Sequence, residues 1–369
     1  MILALLCVFL DYRVSPMRNQ SSQKGVAIIT ALLVVALGTI TVVAITKRQQ
    51  LDLHRERNEA IIQNARSFAN SGERFASALL FMDHEAALRE NTDSLDDDWA
   101  QTIPPIAIDD MMLQGCIVDM QGRFNLNNIV NAEGAVVEEQ FATLKRLLSE
   151  LSIDVVKADA IIDWIDKDFN ATIPEGAEDD YYTGLTPAYR TTNGPMSSVS
   201  ELQLVKGFSP SVEEEQEDYK LLLPHIAALP TAGGPTQVNV NTATPEVLAS
   251  LSEYLKPLGA ELSRWETGAY EDYPGCEDIF DLAADDAPET LTEPVDLEPY
   301  LFVLDFITEA SVENGDEVVQ DENSLTVRSR YFQIRVDVTG GSATLTQYSL
   351  LERDAEGRSK VIFRARDTL

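Results

Sequence analysis

The chain has 369 residues, 44% of them hydrophobic, and its 28 Lys and Arg against 61 Asp and Glu leave a formal net charge of −33. So negative a surface repels nucleic-acid phosphates and anionic lipid headgroups and suits cations, while the length allows more than one domain. The three histidines (His54, His84, His225) are scattered, and no Cys/His metal spacing, G-x-S-x-G or phosphate-binding glycine loop is present, so the expectation is a protein that is not an enzyme.

In chain order, Met1 to Pro16 carries a hydrophobic stretch too short to span a bilayer, and Met17 is the expected initiator. Met17 to Gly25 (MRNQSSQKG) is short, polar and basic, and ends in glycine directly against Val26 to Thr46, an uncharged apolar run. That run is long enough to cross ~30 Å of hydrocarbon as a helix, and no A-x-A-like cleavage site follows it. Lys47 and Arg48 come next. Ile61, Ile62, Ala65, Phe68, Ala69, Phe75, Ala76, Leu79 and Leu80 then recur at three- and four-residue steps, extending one amphipathic helix to about Glu90.

Asn91 to Asp98 and Pro104-Pro105 break this helix. Gly115 to Leu126 reads as a strand, a turn at Met120 to Gly122 and a second short strand. From Asn131 to about Pro230 the pattern is helical. Phe141, Leu144, Leu148 and Leu151 form one stripe, and Val155, Ala158, Ile161, Ile162 and Ile165 another. Ser198 and Glu201 read as a capping box for a helix ending at Gly207, and Glu213 to Leu223 as a further helix. Gln237 to Asn241 is a short strand. Thr244-Pro245 caps the next helix, and Asp285 to Pro299 is an acidic loop. Ser324 to Val338 alternates, with Phe332, Ile334, Val336 and Val338 on one face and Tyr331, Gln333, Arg335 and Asp337 on the other. Turns at Gly340-Gly341 and Asp354 to Gly357 complete a three-stranded antiparallel meander, expected to be solvated on one face. The fold class is α+β. Residues 26–90 form the membrane and amphipathic helix, 91–130 the first part of a sheet domain, 131–320 an inserted helical domain and 321–369 the closing strands.

Asp163, Asp166, Asp168, Asn170, Glu175, Glu178, Asp179 and Asp180 crowd together. Asp166-x-Asp168-x-Asn170 matches the opening of an EF-hand loop, but Ala171 and Ala177 stand where that loop needs glycine and glutamate. Coordination of a hard cation by a loop of another kind fits the chemistry, against the alternative of a solvated acidic loop. Cys116 and Cys276 either pair in an oxidising compartment or lie as separate buried thiols. QVNVNTATPEVLASL also looks like the start of a helix-hairpin-helix unit, and its turn is Lys206-Gly207-Phe208 in acidic surroundings. The alternative function is therefore a signal-anchored periplasmic helix-hairpin-helix protein that binds DNA or another macromolecule.

The leader, rod and meander together resemble the K-type minor pseudopilins of type II secretion (general secretion pathway protein K). The more specific pieces are GRFNLNNI at Gly122 to Ile129, DWIDKD at Asp163 to Asp168, PEGAEDDYY at Pro174 to Tyr182, SSVSELQLVKGF at Ser197 to Phe208 and QVNVNTATPEVLASL at Gln237 to Leu251. The resemblance implies a pilin-like fold with a large helical insertion and cleavage by a prepilin peptidase between Gly25 and Val26, followed by methylation. It also implies a single pass through the bacterial inner membrane with the C-terminal bulk in the periplasm. The implied role is a non-enzymatic subunit at the pseudopilus tip, needed for protein export, bound to the I- and J-type minor pseudopilins and not to nucleic acid. Most pseudopilins carry glutamate as fifth mature residue, where this chain has Thr30; its loss fits a subunit with nothing above it. The class is also understood to bind calcium in the helical domain, and Asp166, Asp168, Glu178 and Asp179 are the expected ligands.

Overall fold

A computed structural model describes residues 24–86, 92–101, 105–264, 298–314, 324–340 and 343–366. Two compact units divide the chain, one ending at Ile61 and one beginning at Ile62. Helix α1 runs Lys24–Ala86. Within the first unit it is exposed from Val26 to Ala60 and carries an apolar stretch long enough to cross a membrane. Thr30, Thr39, Thr41 and Thr46 each donate their hydroxyl to the carbonyl three or four residues earlier, at 2.8–3.0 Å. The four hydroxyls are thereby satisfied without water, which makes threonine acceptable in hydrocarbon.

In the second unit, the end of α1 lies on a five-stranded antiparallel sheet of order β1-β2-β7-β8-β9. The strands are β1 (Ile106–Ile108), β2 (Met111–Asp119), β7 (Tyr331–Gly340), β8 (Ala343–Arg353) and β9 (Ser359–Arg366). Ala65, Ala69, Ala76 and Leu80 of α1 meet Ile117, Phe332, Ile334, Val336, Val338 and Leu351, with Trp99 edge-on to Phe332 at 5.3 Å. Small residues let the helix approach closely. A Cβ on Gly72 would sit 2.8 Å from Val336 Cγ1. An ion pair between a buried acid and an exposed arginine clamps the same contact: the Glu73 carboxylate takes Arg364 Nε and NH2 at 2.9 and 2.8 Å and the Ser349 hydroxyl at 2.6 Å.

The second face of the sheet differs from expectation. Tyr331, Gln333 and Arg335 are buried, not solvated. Cys116, Val118 and Tyr331 pack with Ala227 and Leu229, which come from the helical part of the chain. The alternation in the sequence marks the two faces correctly, but it does not reveal that the insertion folds back to cover the second one.

β2 and β7 are hydrogen-bonded neighbours in register from Met112↔Thr339 to Asp119↔Phe332. Everything between them is therefore looped out of a position a hairpin would fill. That segment holds α2 (Glu138–Glu150), α3 (Lys157–Ile165), α4 (Asp179–Tyr182), α5 (Glu213–Leu222), α6 (Pro245–Leu251), α7 (Gly259–Leu262) and α8 (Val303–Asn314). It also holds two short parallel pairs, β3 (Phe124–Asn125) with β4 (Ile226–Ala227) and β5 (Val238–Asn239) with β6 (Leu325–Thr326). Its core takes in Phe124 to Val130 on one side and Leu325 and Val327 on the other, so the helical part starts and ends closer to the sheet than residues 131 and 320. Arg146 of α2 caps α6 through the carbonyls of Ser250 and Leu251, at 2.6 and 3.1 Å.

The expected capping box is modified. Ser198 Oγ accepts from the Ser200 amide, and Glu201 accepts from the Ser197 amide, around a 3-10 turn at Val199–Leu204. Val199, Leu202, Val205 and Phe208 are all buried at three-residue spacing, which suits three residues per turn better than 3.6. Asp285 to Asp296 and Gly341 lie outside the described residues, as does the chain just beyond Ala86, where the helix was expected to reach Glu90.

Where α1 ends, the carboxylates of Asp83, Asp93 and Asp97 lie within 4.8 Å of one another. Arg353, Ser94, Trp99 and Ser329 serve Asp93 and Asp97, but Asp83 Oδ2 is inaccessible and without a hydrogen bond. Burial, then the charges of Asp97 and Asp93, push the Asp83 carboxyl from 3.8 to about 7. Between those values the folded chain binds more protons than the unfolded one, so stability falls as pH rises through that window. Asp83→Asn is therefore expected to stabilise the fold at pH 8 by about 1–2 kcal/mol once solvent screening is allowed for. The gain should vanish near pH 4, as thermal unfolding at the two pH values would show.

Candidate functional site

The acidic cluster is built at the end of α3. Asp163, wholly buried, accepts the Thr172 amide with both carboxylate oxygens at 3.1 and 3.0 Å, so the loop after α3 curls around it. Gly176 closes that curl with its amide on Thr172 O at 2.7 Å. A Cβ at Gly176 would stand 2.2 Å from Asp163 Oδ2 and 2.4 Å from Thr172 O, so only glycine fits. Trp164, edge-on to Tyr182 at 5.3 Å and to Tyr189 at 6.3 Å, packs in the same core and acts as an anchor between elements.

Asp166 ends α3, Asp168 follows two residues on, and Glu178 precedes α4. Their carboxylates come within 4.8 Å of one another. Glu178 is 7% exposed, and neither of its carboxylate oxygens has a hydrogen-bond partner. Burial, then the charges of Asp163, Asp166 and Asp168, push its carboxyl to about 7. Burial, then Asp168 and Asp163, push Asp166 to about 6. Nearby cations are engaged elsewhere: Lys167 on Ala132 O, Lys206 on Glu175 and Arg190 on Asp179. A buried anionic group with no cation among its described neighbours is costly, and a hard divalent ion relieves that cost.

Of the four expected ligands, then, three converge. Asp179 is not among them; Arg190 and the Thr191 amide and hydroxyl hold its carboxylate instead. The residue that sequence reasoning undervalued is Asp163. Its i, i+3 relation to Asp166 is the signal that could have placed it against the same loop, and the glycine in PEGAED marks the close approach.

The remaining motifs are structural joints. Asn125 brackets Leu229, accepting its amide at 2.9 Å and donating to its carbonyl at 3.2 Å. Asn127 does the same to Met196 at 2.8 and 2.9 Å, and Asn128 to Thr236 at 2.9 and 2.8 Å. The asparagines of GRFNLNNI thus act as extra backbone rungs. At the Lys206-Gly207-Phe208 turn, Gly207 has φ +92, and its carbonyl accepts from Lys157, which is also paired with Asp218 at 2.5 Å. Both lysines beside this turn are consumed by carboxylates of the chain itself, which leaves the turn poorly equipped for phosphate. His225 is buried against Thr244 at 2.8 Å, and burial lowers it to about 3, so it stays neutral. Cys116 is buried and held in a disulfide, while Cys276 lies outside the described residues. Gly25 and Val26 fall within the first turn of α1.

An apolar N-terminal helix continuing onto an antiparallel sheet, with a helical insertion between two of its strands, defines a membrane-anchored pilin-like subunit. A family profile described as Type II secretion system (T2SS), protein K matches residues 122–231. The type II secretion system protein K of Pseudomonas aeruginosa is 33% identical over 93% of this chain and 92% of its own length. That of Aeromonas hydrophila is 34% identical over 65% of this chain and 73% of its own. In the crystal structure of the GspK-GspI-GspJ complex from the enterotoxigenic Escherichia coli type 2 secretion system, a chain 20% identical superposes with a TM-score of 0.63, covering 85% of this chain and all of that one. The chain belongs to the type II secretion system protein K family, the K-type minor pseudopilins. It is a single-pass membrane subunit whose remaining domain is periplasmic.

Gly176→Ala is expected to lower the stability of the folded chain by about 2–4 kcal/mol, through forced separation of Asp163 from Thr172. Gly194→Ala, where the nearest atom is 3.8 Å away, should change little. Thermal unfolding of the two variants, with hydrogen exchange at the Thr172 amide, would distinguish a local defect from a general one.

Proposed function

We propose that this subunit sits at the tip of the pseudopilus, after cleavage between Gly25 and Val26 by the prepilin peptidase, in complex with the I- and J-type minor pseudopilins. The observation that carries this reading is the near full-length match to the Pseudomonas aeruginosa protein K. The similar Escherichia coli chain was crystallised as a complex with GspI and GspJ, which supports the choice of partners. Thr30, fifth in the mature numbering, satisfies itself on Ala27 O and offers no carboxylate to a neighbouring amine, which agrees with a terminal position. The role is structural, without catalysis. Cys116 would be joined to Cys276, stapling the sheet to the second half of the insertion. Intact-mass analysis of the protein from cells with and without the prepilin peptidase tests the processing step. A methylated Val26 terminus that depends on the peptidase is expected; a chain retaining Gly25 would overturn it.

The acidic cluster is assigned to calcium. Asp166, Asp168 and Glu178 would hold the ion, and Asp163 would fix the loop that positions them. The orphaned Glu178 carboxylate is the feature that fits a cation. Asp179 is left out of the ligand set because Arg190 already neutralises it. Calcium at a hundred times its dissociation constant should stabilise the folded chain by about 2.7 kcal/mol. Thermal unfolding of the full chain in detergent with calcium or with chelator measures this. Glu178→Gln should abolish the calcium-dependent part, and Asp179→Asn should keep it.

A further inference from the structure

His84 stands in the last turn of α1 and is 6% exposed. Two elements from the far end of the chain close on its ring. Arg328, in the connection between β6 and β7, places NH2 3.0 Å from Nδ1. Gly357, in the turn between β8 and β9, meets the Cδ2 side, where a Cβ would stand 2.4 Å from Cδ2. The loop after α1 joins the same corner, with the Asp93 amide on Val327 O at 2.8 Å.

A guanidinium has donors and no acceptor. Nδ1 must therefore accept in this contact, with the ring neutral and its one proton on Nε2. A protonated ring would turn an N–H toward a permanent cation in a buried position, so the contact exists in one protonation state only. Charged groups face the ring from each element packed against it. Arg353 and Arg328 disfavour an imidazolium, whereas Asp93 from the loop and Asp354 from the turn favour it. Burial, then the two guanidiniums, prevail and lower the imidazole from 6.5. A histidine in a last helical turn ordinarily gains charge from the helix carbonyls, so this one is held neutral against its position. Asp83, its neighbour on α1, has a carboxyl raised to about 7 and is mostly uncharged where the ring would titrate.

We propose that His84 is an acid-opened clasp on the end of α1. The neutral ring holds Arg328 and the Asp354 to Gly357 turn against the helix; a proton taken on Nδ1 removes the acceptor and parts them. Above pH 6.5 the ring is neutral whether the clasp is open or closed, and the clasp holds. Below that value the released ring takes a proton that the closed ring refuses, so each fall in pH favours opening. Asp83 acts with the opposite sign. Its carboxyl gains a proton in the folded chain as pH falls, which steadies the same corner.

Hydrogen exchange of the full chain in detergent, between pH 7.5 and 5.5 and corrected for the intrinsic rate, tests the clasp. The amides of Asp93 and Gly357 should lose about tenfold in protection as pH falls, the ratio for an ordinary histidine against one held neutral. Amides of the β7–β8 ladder should keep theirs. His84→Gln, whose side-chain oxygen can still accept from Arg328, should abolish the change, and Asp83→Asn should keep it. Ring nitrogen shifts of histidine-labelled protein give a reading that needs no variant to fold. The ring in contact with Gly357 should show a bare Nδ1 at pH 7.5. A proton on that nitrogen at pH 7.5 would overturn the proposal, as would protection that stays constant over the range. So would a change that persists in His84→Gln, or one that the β7–β8 ladder shares.

Discussion

One carboxylate holds the two halves of the periplasmic fold together. Asp119 Oδ2, at the end of β2, accepts from Asn239, Ser329 and Thr242 at 3.0, 2.5 and 2.6 Å, and Oδ1 takes the Gln121 amide at 2.8 Å. Asp93 stands beside it, accepting the Ser329 amide and Arg353 and lending its carbonyl to Asn239. The loop after α1, the exit from β2, the strand β5, the approach to β7 and the end of β8 all meet at these two acids. Burial raises the Asp119 carboxyl while its donors pull the other way, so the site is stable only with every donor in place. This is the physical condition for placing a large helical insertion between hairpin neighbours without unravelling the sheet.

Two acidic clusters among the described residues differ in the cation they receive. Near α1, the negative charge of Asp93 meets the Arg353 guanidinium, both almost wholly buried, and the guanidinium also lies over the Phe332 ring at 4.7 Å. Around α3 no comparable cation enters among the described residues, and Glu178 remains without a donor. Charge counting along the sequence treats the two alike, since both are Asp-rich and follow a helix. The difference is a single arginine brought from far away in the chain, although Asp83 in the first cluster, like Glu178 in the second, keeps buried carboxylate oxygen without a donor.

Elements with local causes were legible in the sequence. The α6 start at Thr244-Pro245 is written in a side-chain cap and a first-turn proline, and the Thr244 hydroxyl does accept the Val247 amide. The strands β7 to β9 follow from alternation and turn chemistry, including Gly357 at φ +81. Features with non-local causes were not legible. The burial of Tyr331 and Arg335 depends on Ala227 and Leu229 folding back, and the turning away of Asp179 depends on Arg190 and Thr191. An inserted helical domain between two parts of a sheet domain was expected, but the pairing of β2 with β7 across it was not legible. The asparagines of GRFNLNNI were visible as a motif. Their role emerged only when each was found straddling a distant backbone segment.

That role explains why the insertion can be large yet rigid where it joins the sheet. An asparagine amide offers one donor and one acceptor at peptide spacing, so each of Asn125, Asn127 and Asn128 replaces a missing strand neighbour without adding a strand. Buried unpaired backbone groups would otherwise accumulate at the junction, because β3 and β4 pair over only two residues. The insertion is thus held by side-chain rungs and by Asp119, while the face of the sheet that receives α1 is mainly apolar, with Glu73 and Asn70 of the helix meeting Gln347, Ser349 and Arg364 of the strands. The rungs and the helix-on-sheet contact thus involve different residues, so a change confined to the α3 loop leaves the packing of α1 on the sheet untouched.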